Sequence, residues 1–212
     1  MPHFTRDWFS PYIPLWEQLL GGARGAPGLR FVEIGSFEGR SAVWLMENIL
    51  THPSSHLDCI DTFEGSFEHD LMGMDLAGLE ERFRHNIEPW KDRVGVFRGP
   101  SNEILFRPEI RNHKYDFAYV DGCHEAKEVL EDAVLAFSLL KAGGIVIFDD
   151  YTWGPADTLP LICPRPAVDV FTSTYALHAE VLHRGDQVVV QKRPTRIGAQ
   201  AYAQKTGSAV PG

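Results

Sequence analysis

The feature that most constrains this chain is a rhythm. Short apolar runs, at 30–34, 57–60, 94–97, 116–120 and 144–148, alternate with segments of helical periodicity. Such alternation predicts βα units around a mostly parallel sheet with helices on both faces, an α/β fold. The clearest helix spans 126–140. There Ala126, Val129, Leu130, Ala133, Val134 and Phe137 share one face, Glu125, Lys127, Glu128, Glu131 and Asp132 hold the other, and Lys141, Gly143 and Gly144 end it. Near the end, 179–182 and 187–191 flank His183, Arg184, Gly185 and Asp186, a hairpin that puts an antiparallel pair at one sheet edge.

A length of 212 residues suits one domain with a substantial core. That domain is expected over 1–193, with 1–29 forming an N-terminal helical cover. The stretch 194–212 lacks apolar periodicity and is rich in Gly, Ala, Ser and Gln, so it reads as a flexible tail or an arm reaching a neighbour in a homo-oligomer. No apolar run approaches the roughly 18 residues that span a bilayer, and the first residues form no secretory leader, so no membrane partner and a cytoplasmic location are expected. A net charge of −9 would repel a phosphate backbone, which excludes nucleic acid and leaves a small-molecule substrate. Cys59, Cys123 and Cys163 match neither a disulfide framework nor a paired zinc motif.

Phe31-Val32-Glu33-Ile34-Gly35-Ser36-Phe37-Glu38-Gly39 sends a buried strand into a glycine-bracketed turn, with a helix starting near Arg40 or Ser41. Such a turn brings backbone close to a ligand. A dinucleotide fingerprint needs glycine where Phe37 stands, and Glu33 and Glu38 would repel a diphosphate. S-adenosylmethionine (SAM) has no phosphate and carries two cationic groups, so the charges favour it over NAD. The second strand ends at Asp61, 22 residues beyond Gly39, about where nucleotide folds place a carboxylate for both ribose hydroxyls. Asp58 lies earlier in that strand and points elsewhere. After the third strand, Ser101 or Asn102 meets the adenine, or Ser101 caps a helix.

The fourth strand closes in Val120-Asp121-Gly122-Cys123-His124 and the fifth in Ile147-Phe148-Asp149-Asp150-Tyr151. Carboxyl ends of neighbouring strands open onto one crevice, so Asp121, Asp149 and Asp150 should converge, and a hard divalent cation would relieve their repulsion. All-oxygen ligation points to Mg²⁺ or Mn²⁺ rather than zinc. Such an ion can hold a substrate hydroxyl while His124 removes its proton, or His124 only packs at a helix start. His52, His56, His69 and His113 read as solvated loop residues.

The Glu33-x-Gly35 loop, Asp61-Thr62-Phe63-Glu64-Gly65, Val120-Asp121-Gly122-x-His124 and Phe148-Asp149-Asp150-Tyr151 resemble class I SAM-dependent O-methyltransferases, in particular the metal-dependent macrocin and catechol O-methyltransferase-like group. The resemblance covers about residues 30–192. It implies a Rossmann-like seven-stranded sheet, metal ligation by Asp121, Asp149 and Asp150, a ribose contact at Asp61 and a methionine-end pocket including Glu33. Gly35, Ser36, Gly39, Thr62, Ser101 and Asp121 join the cofactor-binding set, with His124 and Asp121 catalytic. Catechol-type enzymes carry lysine at the His124 position and asparagine at the Asp150 position. The histidine resembles macrocin-like members acting on sugar hydroxyls, which directs the acceptor towards a sugar or glycoside, another polyol or a phenol. The competing readings are a metal-independent methyltransferase using His124 alone, a non-catalytic SAM-binding protein and a NAD-dependent oxidoreductase.

Overall fold

The computed structural model describes residues 1–155, 157 and 159–194. Residues 1–9 run as an irregular strap before a 3-10 turn at Ser10–Tyr12 and α1 (Ile13–Leu20). The strap is tied down by polar contacts. His3 N–H donates to Asn86 Oδ1 at 2.7 Å, Thr5 N–H to Glu38 Oε2 at 2.6 Å, and Arg40 reaches Asp7 and Ser10. The expected helical cover over 1–29 is thus part strap and part helix, because the first nine residues find partners outside themselves.

The chain then alternates as its rhythm predicts: β1 (Arg30–Ile34), α2 (Arg40–Asn48), β2 (His56–Asp61), α3 (Phe67–Leu71), α4 (Leu79–Ile87), β3 (Val94–Arg98), α5 (Ser101–Ile104), α6 (Pro108–Arg111), β4 (Tyr115–Val120), α7 (Ala126–Leu139), β5 (Leu140–Phe148) and α8 (Pro164–Thr174). β6 (Ala179–Arg184) and β7 (Val188–Lys192) close it. The seven strands form one sheet in the order β3-β2-β1-β4-β5-β7-β6, parallel up to β5 and antiparallel beyond. The strand order reverses between β1 and β4, the switch point where open α/β sheets bind ligands. The expected tail falls, from residue 195 onward, outside the described residues. Among the described residues no helix is long and apolar enough to cross a membrane.

Two boundaries differ from expectation. α7 stops at Leu139, before Gly143 and Gly144, because Leu140 is already extended and the Lys192 ammonium takes the Phe137 and Leu140 carbonyls, each at 2.8 Å. The two glycines instead lie in the irregular start of β5. A Cβ on Gly144 would stand 3.0 to 3.2 Å from three carbonyl oxygens, so only glycine lets the strands approach there. β6 also runs to Arg184, which shortens the hairpin turn.

Successive strand residues face opposite sides of the sheet. Val32, Ile34, Val120 and Phe148 pack against the α7–α8 layer, while Phe31, Cys59, Tyr119 and Ile147 pack against α1, α2 and α4. Trp16 plugs the second core, fully buried, edge-on to Tyr119 at 4.8 Å and Phe117 at 5.3 Å. Register levels the tips. Ile34 pairs with Ile60 and Val120, and Val120 with Phe148, so Gly35, Asp61, Asp121 and Asp149 each come one residue later along one line. A Cβ on Gly35 would lie 1.8 Å from the Asp121 carbonyl oxygen, at a φ of +82°. Gly35→Ala should therefore destabilise the protein by more than the about 1–3 kcal/mol of backbone strain alone. A urea-unfolding midpoint equal to wild type would contradict this close approach of the β1 and β4 tips.

Candidate functional site

The levelled tips open onto a cavity of about 470 Å³, within the range of small-molecule pockets. Of the residues singled out from sequence, Gly35, Ser36, Asp61, Thr62, Ser101, Asp121, His124, Asp149 and Asp150 line it. Glu33 and Gly39 do not. Gly39 is the N-cap of α2, and Glu33 lies fully buried beneath the floor, where the Ser41 hydroxyl donates to its Oε2 at 3.0 Å and Oε1 has no hydrogen-bond partner. Burial pushes the Glu33 carboxyl up to about 8, against the partial relief of the Ser41 hydroxyl. Glu38 is also buried, and its charge is met by Arg82 Nε at 2.9 Å. The loop acids that favoured SAM in the sequence are thus neutralised or paired, and the cavity's negative charge comes from the strand tips instead.

Asp61 organises the loop between β1 and α2. Its Oδ2 accepts the Ser36 and Phe37 amides at 2.7 and 2.8 Å, and its Oδ1 accepts the Phe63 amide at 2.7 Å. A carboxylate offers about four acceptor sites, so about one remains for a ribose hydroxyl rather than the two expected. Asp58 points away, accepting the Tyr115 hydroxyl at 2.8 Å. Ser101 makes no cap hydrogen bond; it opens α5 behind Pro100.

At the other end of the cavity the acids crowd. Donor atoms of Asp121, His124 and Asp150 lie within 4.8 Å of one another, as do those of Asp149, Asp150 and Asp186; Asp150 joins both groups, and among the described residues the expected trio of Asp121, Asp149 and Asp150 forms no single one. The Tyr119 hydroxyl donates to Asp149 Oδ2, and Asp149 Oδ1 accepts the Asp150 amide at 2.8 Å. Desolvation, then the charges of Asp149 and Asp150, hold the Asp121 carboxyl well above the ordinary range, and Asp149 is raised for the same reasons. No lysine or arginine among the described residues is ion-paired with Asp121, Asp149 or Asp150; the basic group nearest them is His124, whose Nε2 lies 2.9 Å from Asp150 Oδ2. Clustered oxygen donors lacking a strong cation fit a hard divalent ion. Burial would push His124 down, but the hydrogen bond and charge of Asp150, then Glu68 and Asp149, leave it above its ordinary value.

Among the described residues, three non-glycine residues adopt positive φ, Phe37 at 46°, Phe63 at 55° and Asp150 at 54°, and each follows a strand that opens onto the cavity. Strain of this kind gathers at binding sites. Sequence reasoning missed several cavity residues. His69, expected in solvent, stacks on Phe37 at 5.6 Å, and the strap brings Trp8 to within 5.0 Å of that same ring. Glu68, on α3, is buried beside His124. None of these stands in a periodic or spaced motif; the strap and α3 reach the site only through folding.

The model of a family described as a methyltransferase domain matches residues 32–151. An O-methyltransferase of Aspergillus hancockii is 31% identical over 144 residues, covering 68% of this chain and 50% of that protein. The chain spans between 50% and 60% of the length of the curated relatives it matches. Among solved structures, the O-methyltransferase TomG of Streptomyces achromogenes, involved in tomaymycin synthesis and crystallised with SAM, superposes with a TM-score of 0.61 at 21% identity, covering 85% of this chain and 80% of that one. The MycE methyltransferase of the mycinamycin biosynthetic pathway, in complex with Mg, SAH and mycinamycin VI, gives 0.63 at 16% identity, covering 89% and 51%. These last two likenesses show the fold.

Glu33 makes stability pH-dependent in the cofactor-free protein. Its folded pKa, about 8, exceeds the ordinary 4.5, so between those values the unfolded chain has released a proton that the folded one keeps. Stability should fall as pH rises through that window, by at most about 1.4 kcal/mol per pH unit. Glu33→Gln removes this term, so the variant should gain on wild type in urea titrations between pH 5 and 8. A constant difference across that range would show that Glu33 is ionised in the fold.

Proposed function

The chain belongs to the methyltransferase domain family, and we propose on that premise that it is a SAM-dependent O-methyltransferase, acting on a hydroxyl of a small molecule with the help of Mg²⁺ or Mn²⁺. The observation that carries this reading is the shared level of Gly35, Asp61, Asp121 and Asp149 at the switch point, which joins the β1–α2 loop to a carboxylate cluster in one cavity. When bound, SAM supplies a sulfonium-activated methyl group and the divalent ion supplies Lewis acidity towards the acceptor oxygen.

The residues divide the work by position. Asp61 holds the ribose through its remaining acceptor site, with Gly35, Ser36, Thr62 and Ser101 around the cofactor. Gly39 shapes the start of α2 and Glu33 acts from beneath the floor. Asp150, common to both donor groups, holds the ion with Asp121 from one group and Asp149 from the other, a reading supported by their oxygen chemistry and by the Mg in the MycE complex. His124 takes the proton that the acceptor hydroxyl loses as its oxygen receives the methyl group. Trp153, 4.6 Å from the His124 ring, gives the acceptor an apolar wall, consistent with a sugar or glycoside, another polyol or a phenol. Residues 1–193 serve as one catalytic unit, and the three free thiols suit a cytoplasmic, reducing setting.

The His124–Asp150 contact at 2.9 Å also favours a second reading, in which Asp150 orients His124 and no metal takes part. Chelation separates the two. Calorimetry should detect SAM binding, and SAM at 100 times its dissociation constant should add about 2.7 kcal/mol of stability. With labelled SAM and pooled sugars, glycosides and phenols, EDTA should abolish transfer and Mg²⁺ restore it; full turnover in excess EDTA would select the metal-free reading. His124→Ala should lower turnover by about 10² to 10⁴ with SAM affinity intact. The absence of both binding heat and thermal shift at millimolar SAM would remove the methyl-transfer proposal.

A further inference from the structure

The two nitrogens of His124 meet different surroundings. Nε2 faces the strand tips, 2.9 Å from Asp150 Oδ2. Nδ1 is buried, has no hydrogen-bond partner and faces α3, where Glu68 Oε1 lies 3.7 Å away. A buried nitrogen cannot meet an acceptor hydroxyl, so a proton taken from the cavity must arrive at Nε2. A neutral imidazole that accepts at Nε2 carries its own proton at Nδ1.

We propose that Glu68 is a positioning residue for His124, receiving the Nδ1 proton in a hydrogen bond so that Nε2 can accept once Asp150, its partner at 2.9 Å, is engaged by a divalent ion. This rests on the methyl-transfer reading for its purpose but not for its geometry. Glu68 is 3% exposed, and its Oε2 is buried without a partner. An unpartnered buried carboxylate oxygen is costly and is retained where it has work to do. Glu68 belongs to neither of the closely spaced donor groups at the strand tips, so a role as metal ligand has no geometric support.

The local sequence builds this placement. Ser66 N-caps α3 in a capping box with His69, and the Ser66 hydroxyl donates to Glu68 Oε1, which fixes the carboxylate between His69 Nδ1 at 3.8 Å and His124 Nδ1. Trp153 covers the His124 ring, and Phe67, next to Glu68, lies 6.1 Å from Trp153. The 3.7 Å separation exceeds a hydrogen bond by under an ångström, a gap that catalytic contacts commonly close when ligands bind.

The test uses the whole chain with ring-¹⁵N-labelled histidine, with and without Mg²⁺, at alkaline pH where the ring is neutral; the His124 signals are assigned by their loss in His124→Asn. In the wild type with Mg²⁺, His124 should be protonated at Nδ1. Glu68→Gln should shift that proton towards Nε2 and lower kcat by about 10- to 100-fold, the usual effect of removing an outer-shell partner, with the KM for SAM unchanged. Glu68→Asp should restore part of both, and it keeps a carboxylate on α3 should the glutamine variant fold poorly. Unchanged His124 signals in Glu68→Gln, or a kcat equal to wild type, would overturn the proposal. If the wild type binds no SAM, the methyl-transfer reading fails, while the tautomer measurement still decides the role of Glu68.

Discussion

The sheet ladder does not stop where the strands stop. Gly35 N–H donates to Ile60 O at 2.9 Å, Asp121 N–H to Ile34 O at 2.8 Å and Asp149 N–H to Val120 O at 3.0 Å, so the pairing of four parallel strands runs one residue into their loops. Those three bonds put functional residues on rigid backbone at one height. The arrangement demands a backbone without Cβ at Gly35, since the Asp121 carbonyl occupies that space. The remaining features of the site arise from what this levelling forces together.

It forces acids together. Asp121, Asp149, Asp150 and Asp186 share a small volume with Tyr119 and His124, and desolvation with mutual repulsion raises the carboxyls of Asp121 and Asp149. The fold sustains this from behind. Trp16 Nε1 donates to Gln187 Oε1 at 2.9 Å, fixing the turn that carries Asp186, and the aromatic core around Trp16 backs Tyr119, the donor to Asp149. Burial of that aromatic cluster, at roughly 25 cal/mol per Å² of apolar surface, acts against the repulsion of the acids in front of it. The metal ion of the proposed function would relieve this repulsion.

The strap and α3 complete the cavity from outside the sheet. Glu38 links the cofactor loop to the strap through Thr5 and to α4 through Arg82, so cofactor loop, N-terminal segment and α4 are joined at one buried carboxylate. α3 meets the strap at Phe37, with His69 6.0 Å from Trp8, and extends that side to His124 through Glu68. The strap and α3 both follow irregular segments, where recognition residues tend to gather on a rigid scaffold.

The sequence by itself determined the scaffold and the acids at its edge. Apolar period located all five parallel strands and α7, and Asp61, Asp121, Asp149 and Asp150 were legible because each ends a strand, where the fold class alone says they face a crevice. Local pattern misjudged the end of α7, which the distant Lys192 decides, and the charge of Glu33 and Glu38, which burial and Arg82 decide. Only the tertiary structure assigned Asp61 three backbone amides, set Asp150 against His124 and brought Glu68, 56 residues earlier in the chain, to the far side of that ring. The reason is physical: periodicity reports which face a residue takes on its own element, whereas pKa, pairing and tautomer depend on atoms that arrive from elsewhere in the chain.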